Sequence, residues 1–252
     1  MVSGARAGAL CSRRDLVAQP PAGAGSAPDP GPPPEGQQRP LAAGVLAVQG
    51  SFAAHARALA RLGVEPRLVR RAEDLEGLRY LILPGGESTV LSHFLEQQGF
   101  GAALAARLGS GELAALGTCA GAILLGREPA GGGPRTGRQP VRLGLAPVEV
   151  ERNAYGRQLD SFRGPVELAG SFAAFAARLA AEPSPRAAPP PERFEGVFIR
   201  APRFVALGPE VEVLGRHGGE PVLVRWRRLV LAAFHPELTA DLRLHRYLLE
   251  EL

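Results

Sequence analysis

The order of apolar and polar segments predicts strands that alternate with helices from about residue 41 to residue 125. Short apolar runs typical of buried strands lie at 44–48, 66–69, 80–83 and 113–116. Segments with helical periodicity lie between them, at 52–62, 89–98 and 102–108. Such alternation favours a mostly parallel sheet covered by helices on both faces. The predicted fold class is therefore α/β, a three-layer sandwich around a central sheet.

The second half of the chain has a β-rich pattern. Apolar or alternating runs at 147–151, 196–199, 211–214, 221–226 and 229–234 predict strands, and 240–252 predicts a closing helix. The segments 129–140 and 182–193 are rich in Gly, Pro and Arg and predict surface loops.

Residues 1–40 have a different composition, in which prolines lie among Gly, Ala and Ser. Such a segment cannot bury enough apolar surface to offset the entropy lost on ordering, so we expect it to be disordered. The predicted folded domain is 41–252.

Charge and composition exclude some functions. The net charge is +4, but the chain contains no lysine and its arginine clusters are short, so we expect a solvated face rather than a nucleic-acid site. No apolar run is long enough for a membrane helix. With only Cys11 and Cys119, a disulfide framework is implausible, and a working thiol fits a reducing cytoplasm.

Cys119 lies at the centre of the segment Gly117-Thr118-Cys119-Ala120-Gly121, between an apolar run that suits a strand and one that suits a helix. Small residues around a nucleophile at a strand-to-helix turn are typical of a nucleophile elbow. With cysteine as the nucleophile, the pattern indicates acyl transfer through a thioester.

His235 is the candidate base, since it follows the predicted strand at 229–234 and precedes Pro236-Glu237. Residues two apart in an extended segment project to the same side, so Glu237 is expected to orient the imidazole. Buried structural cysteine is the competing interpretation of Cys119. The remaining histidines have no partner pattern: we expect His55 to pack in a helix or lie at the surface, and His93, His217 and His245 to be solvated.

Together these motifs resemble the class I (triad) glutamine amidotransferases, and within them the glutaminase subunits of pyridoxal 5'-phosphate synthase, the PdxT family. Five further segments carry the narrower resemblance, which spans roughly 43–252: Ala47-Val48-Gln49-Gly50, Leu83-Pro84-Gly85-Gly86-Glu87-Ser88-Thr89, Val150-Glu151-Arg152-Asn153-Ala154-Tyr155-Gly156-Arg157-Gln158, Val197-Phe198-Ile199-Arg200-Ala201-Pro202 and Phe234-His235-Pro236-Glu237-Leu238. The resemblance implies a flavodoxin-like sheet.

The resemblance also implies an activity and a site. Cys119, His235 and Glu237 would hydrolyse L-glutamine, and backbone N–H groups of Gly86 and Ala120 would form the oxyanion hole. The residues implied to contact glutamine are Gly86, Glu87, Ser88, Arg152, Ile199 and Arg200. Either arginine suits the α-carboxylate, and Glu87 suits the α-ammonium group.

The implied partner is a separate synthase subunit, a (β/α)8 barrel of the PdxS family that uses the released ammonia to make pyridoxal 5'-phosphate from ribose 5-phosphate and glyceraldehyde 3-phosphate. The chain itself has no lysine for a Schiff base with a sugar and no phosphate-binding loop. We expect no cofactor, no metal, no nucleic acid and no membrane partner.

Three alternatives remain at this stage. The first is a glutaminase that serves another synthase, such as that of imidazole glycerol phosphate or GMP; the Glu151-Arg152-Asn153 and Ile199-Arg200-Ala201-Pro202 segments speak against it. The second is a regulatory subunit without turnover, and the third is a cysteine peptidase or other thiol hydrolase. A peptidase would act without a partner.

Overall fold

A computed structural model describes residues 42–97, 99–130, 141–152, 154, 161–182 and 192–252. Contacts divide the chain into two units, Met1–Arg39 and Pro40–Leu252. The first unit lies outside the described residues, and so does the disorder expected for 1–40. Most of the two predicted loops, at 131–140 and 183–191, also lies outside them. No helix among the described residues is long and apolar enough to cross a membrane.

The described part contains eleven strands and six α-helices. In chain order they are β1 (Ala43–Leu46), α1 (Phe52–Arg61), β2 (Arg67–Val69), β3 (Tyr80–Leu83), α2 (Ser88–Leu95), α3 (Phe100–Gly109), β4 (Ala114–Thr118), α4 (Ala120–Leu125), β5 (Val148–Glu151), β6 (Phe162–Leu168), α5 (Gly170–Ala180), β7 (Arg193–Phe198), β8 (Arg203–Leu207), β9 (Glu212–His217), β10 (Glu220–Trp226), β11 (Leu229–Ala232) and α6 (Arg243–Glu251). Two 3-10 turns, Ala72–Leu75 and Pro236–Leu238, complete the set.

Nine strands form one sheet in the order β2-β1-β3-β4-β11-β10-β9-β6-β7, while β5 and β8 form a separate pair. The first five strands of the large sheet are parallel neighbours, and the strands beyond β11 pair in antiparallel fashion. Every residue of β1, β3, β4 and β11 is buried, as expected of parallel strands covered on both faces. The predicted α/β fold is confirmed, with a β-rich second half.

The parallel register brings four chain segments to one edge of the sheet. In the β4–β11 ladder Thr118 pairs with Ala232, and in the β3–β4 ladder Leu83 pairs with Gly117. The residues that follow β1, β3, β4 and β11 therefore emerge side by side at the carboxyl ends of the strands. In open α/β sheets this is where ligands bind.

The segment 162–180 was not predicted as regular structure, but it forms β6 and α5. Gly164 and Pro165 interrupt the strand pattern in the sequence. The structure tolerates them because β6 pairs with β9 only at Glu167 and Leu168, so the missing N–H of Pro165 is not required by that neighbour. Strand β8 was also not predicted.

The first turn of α4 packs very tightly on β3. A Cβ atom added at Gly121 would lie 2.0 Å from the backbone oxygen of Leu83. No real Cβ contact is that short, and the backbone cannot move aside without disturbing the β3–β4 pairing. Gly121 therefore allows the helix after Cys119 to approach the sheet.

We expect Gly121→Ala to lower the free energy of unfolding by about 1–3 kcal/mol, since it overpacks a buried backbone contact. The matched control is Gly109→Ala at the end of α3, where an added Cβ meets nothing within 4 Å. The control should stabilise the protein by about 0.5–1 kcal/mol through helix propensity. Chemical denaturation of the three proteins checks this; equal midpoints for the two variants would contradict the packing argument.

Candidate active site

Cys119 occupies a sharp turn between β4 and α4. Its φ of 47° lies in the left-handed region, which non-glycine residues seldom adopt. The Cys119 N–H donates to the carbonyl oxygen of Ala232 at 2.8 Å, which joins the turn to the end of β11. The side chain is buried, and the thiol Sγ lies 3.8 Å from the carbonyl oxygen of Ile199 as a hydrogen-bond donor. This is the geometry of a nucleophile elbow.

His235 follows β11 on the neighbouring strand and faces Cys119. Its backbone N–H donates to the Val197 carbonyl at 2.8 Å, and its ring is hydrogen-bonded to the Cys119 side chain. Imidazole Nδ1 lies 2.7 Å from Glu237 Oε1. Glu237 reaches this position from a 3-10 turn, because the extended backbone ends at His235. The structure thus brings the three predicted side chains together in the predicted order.

The buried His235–Glu237 pair has strongly shifted ionisation. Burial disfavours both charged forms, but hydrogen bonds to Cys119 and Glu237 outweigh it and raise the pKa of His235 to about 10. Burial likewise opposes the Glu237 charge, yet the nearby His55 and the hydrogen bond from His235 lower the pKa of Glu237 to about 2. The pair is therefore an imidazolium beside a carboxylate at neutral pH.

The glycine segment after β3, Gly85-Gly86, lies directly against the imidazole of His235. A Cβ atom at Gly85 would be 2.3 Å from Cε1 of His235, so only glycine fits. The Gly85 N–H donates to Thr118 Oγ1 at 3.0 Å, and its carbonyl accepts from the Ser51 N–H at 3.1 Å. An added Cβ at Gly86 would meet the amide of Gln49. Gly86 follows Gly85, which contacts the His235 ring, and Ala120 follows Cys119.

Glu87 and Ser88 begin α2, and the Glu87 carboxylate caps it. Its two oxygens accept from the backbone N–H groups of Thr89 and Val90, at 3.1 and 3.0 Å. Although partial burial opposes its charge, these hydrogen bonds and the nearby Arg152 hold the pKa of Glu87 below its usual value. Arg152 is therefore near enough to Glu87 to act on its charge. Ser88 is buried.

The loop after β7 supplies the remaining predicted residues. The Ile199 carbonyl faces the Cys119 thiol, and Arg200 is exposed with a φ of 45°. An arginine in the left-handed backbone region costs energy that glycine would avoid. Such strained residues cluster at functional sites. The segment 155–160 and Asn153, part of the Glu-Arg-Asn motif, lie outside the described residues.

One of two buried histidines behind the site contradicts the prediction made from sequence. His245 was expected to be solvated, but both His245 and His55 are fully buried. His55 Nδ1 lies 2.9 Å from His245 Nε2, and His55 Nε2 lies 3.2 Å from Glu237 Oε2. A signal existed in the sequence, because His55, Ala58 and Leu59 lie on one helical stripe.

A buried thiol, an imidazole and a carboxylate in this order can perform acyl transfer through a covalent thioester. Among the residues that the structure describes, no group of three or more His, Cys, Asp or Glu side chains is arranged to hold a metal ion.

Comparison with known proteins agrees with this chemistry. The chain is 48% identical over 207 residues to a protein named pyridoxal 5'-phosphate synthase subunit PdxT from a strain of Thermus thermophilus, covering 82% of this chain and 95% of the relative. A protein of the same name from Pelotomaculum thermopropionicum is 46% identical, covering 82% and 93%. A crystal structure described as a glutamine amidotransferase matches with a TM-score of 0.69 at 46% identity, covering 82% and 97%.

The fold and the relatives define a glutamine amidotransferase. Residues 45–252 match the model of the SNO glutamine amidotransferase family, and the chain belongs to that family. The resemblance inferred from the sequence motifs is confirmed.

We expect acidification to destabilise the fold between about pH 6.5 and pH 4. Burial lowers the pKa of His55 from 6.5 to about 4 and that of His245 from 6.5 to about 3, despite the nearby Glu237. In this window the unfolded chain binds more protons than the folded chain, so the free energy of unfolding decreases as the pH is lowered.

Urea midpoints at about pH 7 and about pH 5 measure this effect. The raised pKa of His235 opposes this effect near pH 7, but it is one group against two, and the lowered pKa of Glu237 matters only below 4.5. His245→Phe removes one of the two groups and should weaken the pH dependence. Midpoints that do not change between the two pH values would contradict the burial of neutral imidazoles.

Proposed function

We propose that the protein is the glutaminase subunit of pyridoxal 5'-phosphate synthase. It hydrolyses L-glutamine to L-glutamate and ammonia, and a synthase subunit uses the ammonia to make pyridoxal 5'-phosphate from ribose 5-phosphate and glyceraldehyde 3-phosphate. The observation that carries the proposal is the constellation of Cys119, His235 and Glu237 in a chain 46–48% identical to proteins named subunit PdxT.

The catalytic roles follow from the chemistry of the three side chains. The Cys119 thiol gives its proton to His235, and the resulting thiolate attacks the side-chain carboxamide carbon of glutamine and forms a tetrahedral intermediate. The His235 imidazolium gives its proton to the departing nitrogen as the C–N bond breaks, so ammonia leaves and a γ-glutamyl thioester remains. His235 then takes a proton from water, which attacks the thioester and releases glutamate and the thiolate. Glu237 orients the imidazole throughout.

Charge develops on the carboxamide oxygen when the thiolate attacks. The N–H groups of Gly86 and Ala120 are the proposed donors to this oxyanion. Support comes from their neighbours: Ala120 follows the nucleophile at the start of α4, and Gly85 is in contact with the His235 ring. Fixed donors are effective because they need no reorganisation during the reaction.

Residues around the thiol are the proposed binding site for the α-ammonium and α-carboxylate groups of glutamine. The Glu87–Arg152 pair combines a carboxylate for the α-ammonium group with a guanidinium for the α-carboxylate. Arg200 extends from the loop whose Ile199 carbonyl faces the thiol. With Gly86 and Ser88 at the start of α2, these residues form the proposed binding set.

The partner is a PdxS-family barrel subunit in a hetero-oligomer. Free ammonia is protonated and lost to solvent, so direct transfer to the subunit that consumes it is required for efficiency. This chain has no lysine for a Schiff base with the sugar, hence that chemistry belongs to another subunit. We place the complex in the cytoplasm, where a catalytic thiol stays reduced. The alternatives, a glutaminase of another synthase or a subunit without turnover, are not favoured by the relatives.

Glutamate release from glutamine, measured with and without the synthase subunit of the same organism, tests the proposal. We expect turnover that rises when the synthase subunit is present. Cys119→Ala should abolish it, because the thioester cannot form, with a loss of at least about 10⁴-fold. Turnover unaffected by the barrel would exclude this synthase, and turnover retained by Cys119→Ala would exclude the thiol mechanism.

Arg200→Gly separates glutamine binding from backbone strain. Glycine adopts the left-handed φ of 45° without cost, so the variant should be at least as stable as the wild type. Loss of the guanidinium should nevertheless raise the KM for glutamine by about 10-fold or more, the value of a charge-assisted hydrogen bond. A KM equal to that of the wild type would remove Arg200 from the binding set.

A further inference from the structure

The carboxylate of Glu237 has two oxygens with different surroundings. Oε1 is paired with His235 Nδ1 at 2.7 Å. Oε2 is also buried and lies 3.2 Å from Nε2 of His55, and the Ser51 hydroxyl is a further hydrogen-bond partner of the carboxylate. A buried carboxylate oxygen is costly unless a donor faces it. His55 is positioned to be that donor.

His55 itself lies within a chain of buried polar atoms. Its Nε2 is also 3.2 Å from Thr118 Oγ1, the oxygen that accepts the Gly85 N–H. On the other side of the ring, Nδ1 lies 2.9 Å from His245 Nε2. Both histidines are fully buried in the core. One imidazole therefore connects α1, α6, the end of β4 and the carboxylate behind His235.

One arrangement of protons gives the ionised Glu237 a donor from His55. Glu237 is ionised and can only accept, so His55 must carry its proton on Nε2, facing Oε2 and Thr118. His55 Nδ1 is then an acceptor, and His245 donates to it from Nε2. This leaves His245 Nδ1 as a bare lone pair, and it has no partner among the described residues.

The alternative, in which His55 and His245 both carry the proton on Nδ1, is disfavoured at Glu237 and at His245. A lone pair on His55 Nε2 would face the negative oxygen of Glu237. His245 would then accept at Nε2 and bury an N–H at Nδ1 without an acceptor, which is rarer in proteins than an unpaired acceptor.

We propose that His55, held in the Nε2–H tautomer by His245, is a positioning residue that orients Glu237 from the side opposite His235. This inference rests on the proposed function, since it assigns His55 a part in aligning the proposed base. Through Thr118 the same N–H also faces the oxygen that holds the Gly85 peptide. A single buried imidazole would thus align both the His235–Glu237 pair and the glycine segment next to the proposed oxyanion hole.

The first test uses the wild-type full chain and needs no variant. Two-dimensional NMR of the 15N-labelled histidine side chains distinguishes the two neutral tautomers. We expect His55 and His245 both to be neutral with the proton on Nε2 at about pH 7. A proton on Nδ1 of His55 would overturn the proposal.

The second test measures how fast iodoacetamide alkylates Cys119, by mass spectrometry of the Cys119 peptide at neutral pH. This rate reports the alignment of the Cys119–His235 pair. His55→Leu removes the donor and should lower it by about 10- to 100-fold, the size expected when a reacting pair loses its alignment. His55→Gln places an amide N–H near the position of Nε2 and should keep it within about fivefold of the wild type.

His93→Leu is the matched control, because His93 is exposed on α2 and pairs only across the surface with Glu96 among the contacts seen. Cys119 in this variant should be alkylated at the wild-type rate.

A wild-type rate for His55→Leu, or equal losses for the Leu and Gln variants at matched thermal stability, would overturn the proposal. Should His55→Leu fail to fold, the tautomer measurement decides. Alkylation needs neither glutamine nor a synthase subunit, so failure of the proposed function would appear separately, as absent glutamate release.

Discussion

The parallel pairing of β4 with β11 is the constraint on which the site depends. The ladder runs from Ala115–Leu229 to Thr118–Ala232, and the Cys119 N–H extends it by donating to Ala232. Cys119 and His235, more than a hundred positions apart in sequence, therefore follow the sheet at the same edge. Because β3 pairs with β4 on the other side, the glycine segment arrives at the same place. A shift of one residue in this register would turn Cys119 and His235 to opposite faces of the sheet.

Burial of charge is the second constraint, and it explains the polar atoms behind the site. Taking a carboxylate out of water is expensive, and a single imidazole satisfies only one of its oxygens. Glu237 lies between two histidines, one on each side, and the outer one is itself supported by His245. The glycine at position 85 belongs to the same arrangement, because its lack of a side chain lets the backbone lie directly against the His235 ring.

The sequence was sufficient to predict the parallel half of the sheet and the three central site residues. Apolar runs are unambiguous in strands buried on both faces, and small residues around Cys119 have a direct steric reason. Strand β6 was missed because its Gly164 and Pro165 resemble a turn, and only the pairing shows that they are tolerated. His245 was predicted wrongly, and the contact between His55 and His245 was not predicted, because no local pattern encodes a contact between residues 190 positions apart.

The proposed mechanism requires Cys119 to form a covalent thioester with the γ-glutamyl group of glutamine. The most direct measurement is acid quench of the complex during turnover, followed by mass spectrometry of the peptide that contains Cys119. We expect an adduct of one γ-glutamyl group on Cys119, which disappears as glutamine is exhausted. Glutamate formation without any adduct, or with an adduct on a different residue, would contradict it.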